Sequence, residues 1–320
     1  MRIALVTPAG PGTRSGNRHT ALRWAAFLRK AGHRVNVSVE WSPETPADAM
    51  LALHARRSHV SIKKFSEIRA GKPLVLALTG TDVYRDIHRS AEAQESLELA
   101  HRLILLQPKA AEELPEGLRG KAGVVVQSAA TRLRHRPVKG PFRVCVIGHL
   151  REEKDPLRTL LALQFVPQET ALEVVHLGAP LDPALGEKAR AGTAREPRYR
   201  WPGSVPHARA LRWLASSHAM VISSRMEGGA NVVCEALRIG VPVLASRISG
   251  NVGLLGERYA GYFPVEDERA LAQLLVRAST DRSFYRRLKS QVAKLRPTVA
   301  PQAEARALRA IMRGATARPG

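Results

Sequence analysis

The sequence predicts an α/β protein made of two parallel-sheet domains joined by a short linker, and three observations carry that expectation. The 320 residues are enough for two mid-sized cores. Short β-branched or aliphatic runs alternate with longer amphipathic stretches, the pattern of βαβ units. The alternation stops at the segment RLRHRPVKGP, residues 132–141, whose prolines, glycine and clustered charge read as a linker, and then restarts.

In the first series, strands are expected at 3–7, 34–39, 50–54, 74–79, 102–107 and 124–127. Ser15-Gly16-Asn17 precedes apolar positions at Leu22, Trp24, Ala25, Phe27 and Leu28, so the first helix should start at 15–17 and end at Gly32. In the second series, strands are expected at 142–148, 172–178, 199–201, 220–223, 242–245 and 262–265, with a helix near 155–164. From Asp267 the chain reads as helical, with breaks at Pro297 and Pro301 and a frayed end at 315–320. The domains are therefore 1–136, 137–300 and a C-terminal helix and tail at 301–320. Sheets of this kind bind ligands beyond the carboxyl ends of their strands, so a cleft between two facing domains is the expected place for substrates to meet.

Composition narrows the function. Hydrophobic residues at 44% and charged residues at 24% suit a globular chain rather than a disordered one. No apolar run approaches the roughly 20 residues a membrane span needs, and Met1 leads straight into a strand, so no stable membrane insertion and a cytoplasmic location are expected. Cys145 and Cys234 lack partners at metal-ligand spacing and read as buried thiols. A net charge of +22 fits small anionic substrates, or else solvated helix faces. Nucleic acid is not expected, because no basic block or stacking motif accompanies the charge and aromatic residues are only 5%. The sequence does not indicate an oligomeric state.

The segment SSRMEGGANVVCEAL, residues 223–237, carries the chemistry: a strand end, a glycine turn, and a helix expected to begin near Gly229. Unsatisfied N–H groups and the positive end of the helix dipole make such a start a site for a diphosphate or another anion. Gly228 and Gly229 let a ligand approach the backbone ahead of Ala230 and Asn231. Glu227 lies in the turn and Glu235 about two helical turns on, so both could touch one extended ligand. GHLREEKDPLR, residues 148–158, follows the first strand of the second series and offers Gly148, His149, Arg151 and Lys154. In the first series, the loop from Gly10 to Arg18 follows strand one, and Thr79, Thr81 and Asp82 follow another strand. Asp82 reads equally as a helix cap, and His54 as an ordinary packed residue. No Asp-x-Asp metal motif is present; Glu266-Asp267-Glu268 reads as an acidic first turn, so no metal and no cofactor are expected.

Glu227 and Glu235 match the Glu-x7-Glu motif of the retaining glycosyltransferases of family 4, and the chain resembles that group. The resemblance implies the GT-B type of fold, with two facing Rossmann-like domains, and a metal-independent, hexosyltransferase-type reaction. It implies that Glu227 and the N–H groups at 228–231 position the donor sugar while Glu235 binds the ribose hydroxyls. GHLREEK is similar to the group's Gly-Arg-Leu-x-x-Glu-Lys segment, whose arginine and lysine hold the diphosphate. Lys154 aligns with that lysine, but His149 stands in the arginine's place with Arg151 two residues on, so Lys154 with Arg151 or His149 is expected to neutralise the leaving group.

A narrower resemblance rests on TPAGPGTRSGNRHTALRWA, LALHARRS, LALTGTDVYRD, GHLREEKDPLR, RYRWPGSVPHARALRWLA, SSRMEGGANVVCEAL and ASRISGNVGLLGERYAGYFP taken together. These are similar to the selenosugar synthases of selenoneine biosynthesis. The resemblance implies transfer of a sugar from a UDP-sugar, UDP-N-acetylglucosamine above all, to the selenium of selenophosphate, giving a 1-seleno sugar after loss of phosphate. Selenium there is already a good nucleophile, so no general base is assigned. Arg14, Ser15, Gly16, Asn17, Arg18, Thr79, Thr81 and Asp82 are then the expected acceptor residues, with Asn251 contacting the sugar or either phosphate. Three other readings remain open: a hydroxyl acceptor on a lipid or small molecule, a sugar-nucleotide epimerase or hydrolase, and a noncatalytic anion- or nucleic-acid-binding protein. The intact Glu227, Glu235 and Lys154 stand against the last.

Overall fold

A computed structural model describes residues 1–13 and 15–316. They divide into two compact units, Met1–Gln127 with Pro301–Gly320, and Ser128–Ala300.

The first unit holds β1 (Arg2–Val6), β2 (Arg34–Ser38), β3 (Ala49–Leu53), β4 (Leu74–Leu78), β5 (Arg102–Leu105) and β6 (Ala122–Val124). They form one sheet in the order β2-β1-β3-β4-β5-β6, parallel throughout. Ala4 and Val6 of β1 face one apolar cluster, and Ile3 and Leu5 face the other, as strand alternation requires. Both faces are covered, which is why β3 and β4 are the uninterrupted apolar runs AMLAL and LVLAL, buried at every position.

Helix Gly16–Lys30 begins where the sequence places it, with the Ser15 hydroxyl accepting from the Arg18 N–H. Trp24 from this helix is buried among β1 and β3 side chains together with Leu308 and Met312 of helix Pro301–Thr316. Glu304 of that last helix is also buried, and it accepts from the Trp24 Nε1–H at 2.7 Å and from Arg23 Nε at 2.8 Å. A buried carboxylate needs such partners to be tolerated. The final helix thus belongs with the first unit, although the whole second unit precedes it in the chain. Pro301 opens it, and Ala315 is buried in the same core, so residues 315 and 316 are helical rather than frayed.

The last strand of this sheet is displaced from expectation. The valine run at 124–126 predicts a strand at 124–127, whereas β6 ends at Val124. Its pairing with β5 uses Gly123 opposite Ile104, and a Cβ at Gly123 would lie 2.8 Å from Ile311 of the final helix. Packing against that helix, rather than β propensity, selects the strand.

The second unit holds β7 (Phe142–Ile147), β8 (Leu172–Leu177), β9 (Tyr199–Arg200), β10 (Ala219–Ile222), β11 (Val243–Ser246) and β12 (Tyr262–Phe263), again all parallel, in the order β12-β11-β10-β7-β8-β9. Cys145 and Cys234 are both buried. The helix expected at 155–164 is shorter, Arg158–Leu163, because Asp155 is left-handed (φ 43°) and precedes Pro156, a position biased away from helix. In each unit the strand order reverses once, between β1 and β3 in the first and between β7 and β10 in the second. Such reversals are where doubly wound sheets hold ligands.

Candidate active site

The second unit's reversal point is assembled by close backbone contacts. Past β7 and β8, Gly148 and Gly178 meet so closely that a Cβ on Gly178 would lie 1.8 Å from the Gly148 carbonyl oxygen. His149 Nδ1 accepts the Ala179 N–H at 3.0 Å, so a neutral His149 ring carries its proton on Nε2. Beneath it, His176 is fully buried, with Nδ1 2.8 Å from the Tyr199 hydroxyl and Nε2 3.3 Å from the Gly148 carbonyl. Burial pushes its imidazole down to about 4, so it stands neutral as a link between β8, β9 and the Gly148 loop.

Lys154 closes the short turn Glu152–Lys154. The Ser223 hydroxyl donates to the Asp155 carbonyl at 2.8 Å, and the Arg225 N–H donates to the Glu153 carbonyl at 2.9 Å, tying that turn to the end of β10. This places the Lys154 ammonium against Glu227, to whose Oε1 it donates. The Ser224 hydroxyl donates to the same oxygen at 2.6 Å. Glu227 is buried, and its backbone is pressed by Gly250, where a Cβ would sit 2.0 Å from the Glu227 carbonyl oxygen. Helix Asn231–Ile239 follows, with Ala230 as its N-cap and no side-chain cap, which leaves its first N–H groups to a ligand or water. It begins at Asn231 rather than near Gly229, so Glu235 lies little more than one turn into it instead of two.

A cavity of about 30 Å³ lies at this point, its lining including Gly148, His149, Lys154, His176, Glu227 and Val232. Lys154 and Glu227 are its two charged groups. Arg151 is directed elsewhere, pairing with Glu153 at 3.1 Å. Glu235 makes a contact that sequence reasoning missed: His207 Nε2 lies 2.7 Å from its Oε1. The one clue to His207 was its place inside RYRWPGSVPHARALRWLA.

In the first unit, Ser15, Gly16, Asn17 and Arg18 form the cap and first turn of helix Gly16–Lys30, while Arg14 lies outside the described residues. Asp82 is fully buried, and its carboxylate accepts from the N–H groups of Thr79 (2.9 Å), Gly80 (2.7 Å) and Ala55 (3.1 Å). Thr81 Oγ1 lies 3.3 Å from Nε2 of His54, itself a buried residue in the left-handed region (φ 78°) whose imidazole is lowered chiefly by burial. Asn251, in the second unit, is also fully buried, its Nδ2 donating to the Ser246 carbonyl at 2.9 Å. As placed, the side chains of Asp82 and Asn251 close turns rather than face solvent. Among the described residues, no group of three or more His, Cys, Asp or Glu could hold a metal ion, and no helix is long and apolar enough to cross a membrane.

Residues 141–281 match the family described as glycosyl transferases group 1. Over its whole length the chain has the fold of several solved structures. Sucrose-phosphate synthase from Thermosynechococcus elongatus matches with a TM-score of 0.77 at 15% identity, covering 99% of this chain and 100% of that one. Anabaena HepE in complex with UDP-glucose matches with 0.78 at 14%, covering 98% and 100%. A variant of S. aureus TarM in complex with fondaparinux, alpha-GlcNAc-glycerol and UDP matches with 0.62 at 12%, covering 83% of this chain and 55% of that one. At such identities the likeness is one of fold, and that fold is the GT-B arrangement of two Rossmann-like units. The group 1 match spans every residue of the cavity, and with it the chain is a glycosyltransferase of GT-B fold.

Proposed function

We propose that the chain transfers a sugar from a UDP-sugar, UDP-N-acetylglucosamine, to the selenium of selenophosphate. The donor half of the reading rests on one observation: a Lys154–Glu227 ion pair at the uncapped start of helix Asn231–Ile239, where the second unit's strand order reverses. A diphosphate would lie over the first N–H groups of that helix and draw the Lys154 ammonium from Glu227, freeing the carboxylate for the sugar hydroxyls. The two neighbours solved with UDP or UDP-glucose support a uridine nucleotide as the leaving group. The acceptor half rests on the sequence resemblance.

In the proposed step, a selenium lone pair forms the bond to C1 while the C1–O bond to the diphosphate breaks, and UDP leaves with that electron pair. Lys154 and the helix amides take up the charge that develops on the diphosphate, the kind of preorganised stabilisation worth on the order of a hundred- to a thousand-fold in rate per donor. Water then cleaves the P–Se bond, releasing phosphate and the 1-seleno sugar. The His149 Nε2–H is a second donor to the same leaving group. No strong base is required, because the nucleophile is already anionic.

The test is anaerobic incubation of the full chain with UDP-N-acetylglucosamine and selenophosphate, following UDP release and the selenium isotope pattern of the products by mass spectrometry. A seleno-sugar formed only with both substrates supports the reading. UDP release without acceptor identifies a hydrolase, and UDP release only with a hydroxyl compound identifies an ordinary transferase; either overturns the acceptor assignment.

A further inference from the structure

We infer that His207 is a positioning residue for the nucleotide, holding the Glu235 carboxylate in the orientation that binds the ribose diol. The inference rests on the reading of Glu235 as the ribose-binding residue and extends it to a residue outside the motif. His207 is the first residue of helix His207–Ser216, directly after Pro206, and Glu235 lies on the adjacent helix Asn231–Ile239. The bond from His207 Nε2 to Glu235 Oε1, at 2.7 Å, therefore joins the start of one helix to the middle of the next, across 28 residues of chain.

A glutamate rotates about three side-chain bonds, and one that must meet a vicinal diol loses that freedom on binding unless something has already removed it. His207 removes it by occupying one carboxylate oxygen, which leaves Oε2 for the diol. The His207 side chain is 56% exposed against 16% for Glu235. An ion pair with one partner so open adds little to stability, so a role in the fold alone explains the contact poorly. The Glu235 carboxylate raises the His207 imidazole above its ordinary value, chiefly through the hydrogen bond itself and against a lowering by partial burial. The bond also survives loss of the ring charge, since a neutral imidazole protonated on Nε2 still donates.

The experiment compares binding of UDP and 2′-deoxy-UDP by calorimetry in the wild-type chain and in His207→Ala, His207→Gln and Glu235→Ala. Wild type should prefer UDP by about ten-fold, the effect of one charge-assisted hydrogen bond to the 2′-hydroxyl. His207→Ala should reduce that preference by about three-fold or more. His207→Gln, whose amide reaches the same place with an N–H, should restore it. A purely structural role would weaken both nucleotides alike and leave the ratio untouched. If Glu235→Ala collapses the preference and His207→Ala keeps it, the inference about His207 is overturned while the ribose reading stands. If Glu235→Ala also keeps it, the ribose reading fails and takes the inference with it.

Discussion

The two units share a parallel six-stranded sheet that reverses its strand order once, and they differ in what occupies the reversal. In the second unit, Lys154 and Glu227 line a cavity beside a helix start that no side chain caps. In the first, the nearby buried carboxylate is Asp82, which follows β4; it is consumed by three backbone N–H groups, one of them Ala55 just past β3, and the helix after β1 is capped by Ser15. The fold supplies a ligand position twice. Whether that position can do chemistry depends on whether its polar groups are spent on the protein itself.

That contrast is most sharply tested by removing one carboxylate from each unit. Asp82→Ala leaves three buried N–H groups without their acceptor and should lower stability by about 3 kcal/mol, read from the urea midpoint. Glu227→Ala and Lys154→Ala should lower the urea midpoint by less than Asp82→Ala does and cut turnover on the order of a thousand-fold, measured as UDP release. Equal destabilisation by Asp82→Ala and Glu227→Ala would mean that both carboxylates are structural, and the contrast would collapse.

The next effect is steric. Gly250→Ala puts a methyl where the Glu227 carbonyl oxygen now lies, 2.0 Å from the Cβ position, so the residue carrying the carboxylate must move. Turnover should fall at least ten-fold and stability by about 1–3 kcal/mol. Gly123→Ala in the first unit meets only the end of a flexible isoleucine, at 2.8 Å, and should leave turnover intact. Similar losses from both would show that the second unit's tight backbone contact has no special bearing on the site.

How far these features were legible in the sequence follows from the range of the interactions that create them. Strands β3 and β4 were legible because burial on both faces demands a continuous apolar run. The Glu227 turn and Lys154 were legible because a strand end, two glycines and a charged residue each carry a local signal. The start of helix Asn231–Ile239 was misplaced because Ala230 offers no capping side chain to mark it. His207 beside Glu235 is a contact across 28 residues, and Trp24 with Glu304 one across 280, and neither leaves a trace in local pattern. Asp82 was legible as a cap or a ligand residue equally, since only the three N–H groups around it decide between them.

The Trp24–Glu304 contact gives a third test, centred on the first unit. Glu304→Gln keeps the shape of the side chain but removes the charge that Arg23 and the indole N–H both address, and should cost about 2 kcal/mol while turnover at 25 °C stays within two-fold. A large loss of turnover with stability intact would tie the final helix to chemistry and not only to the first unit's core.

The smallest effect concerns acid. His176 is fully buried and held at about 4, far below its ordinary 6.5, so between those values the unfolded chain binds a proton that the folded chain refuses. Stability therefore falls as pH drops from 6.5 toward 4 and is complete above 6.5. Between pH 7.5 and 5.5 this one group accounts for about 1.3 kcal/mol. His135, also in the second unit and also pushed to about 4 by burial, acts in the same direction. In the first unit, His54 is likewise lowered by burial, against which the Asp82 and Asp86 charges work. Replacing His176 with Asn, which can still accept from Tyr199 and donate to Gly148, should remove about 1.3 kcal/mol of the acid sensitivity seen in urea midpoints at the two pH values. An unchanged pH dependence in that variant would mean that the ring beneath the Gly148 loop is protonated in the folded protein, and that the second unit tolerates a charge directly under its active site.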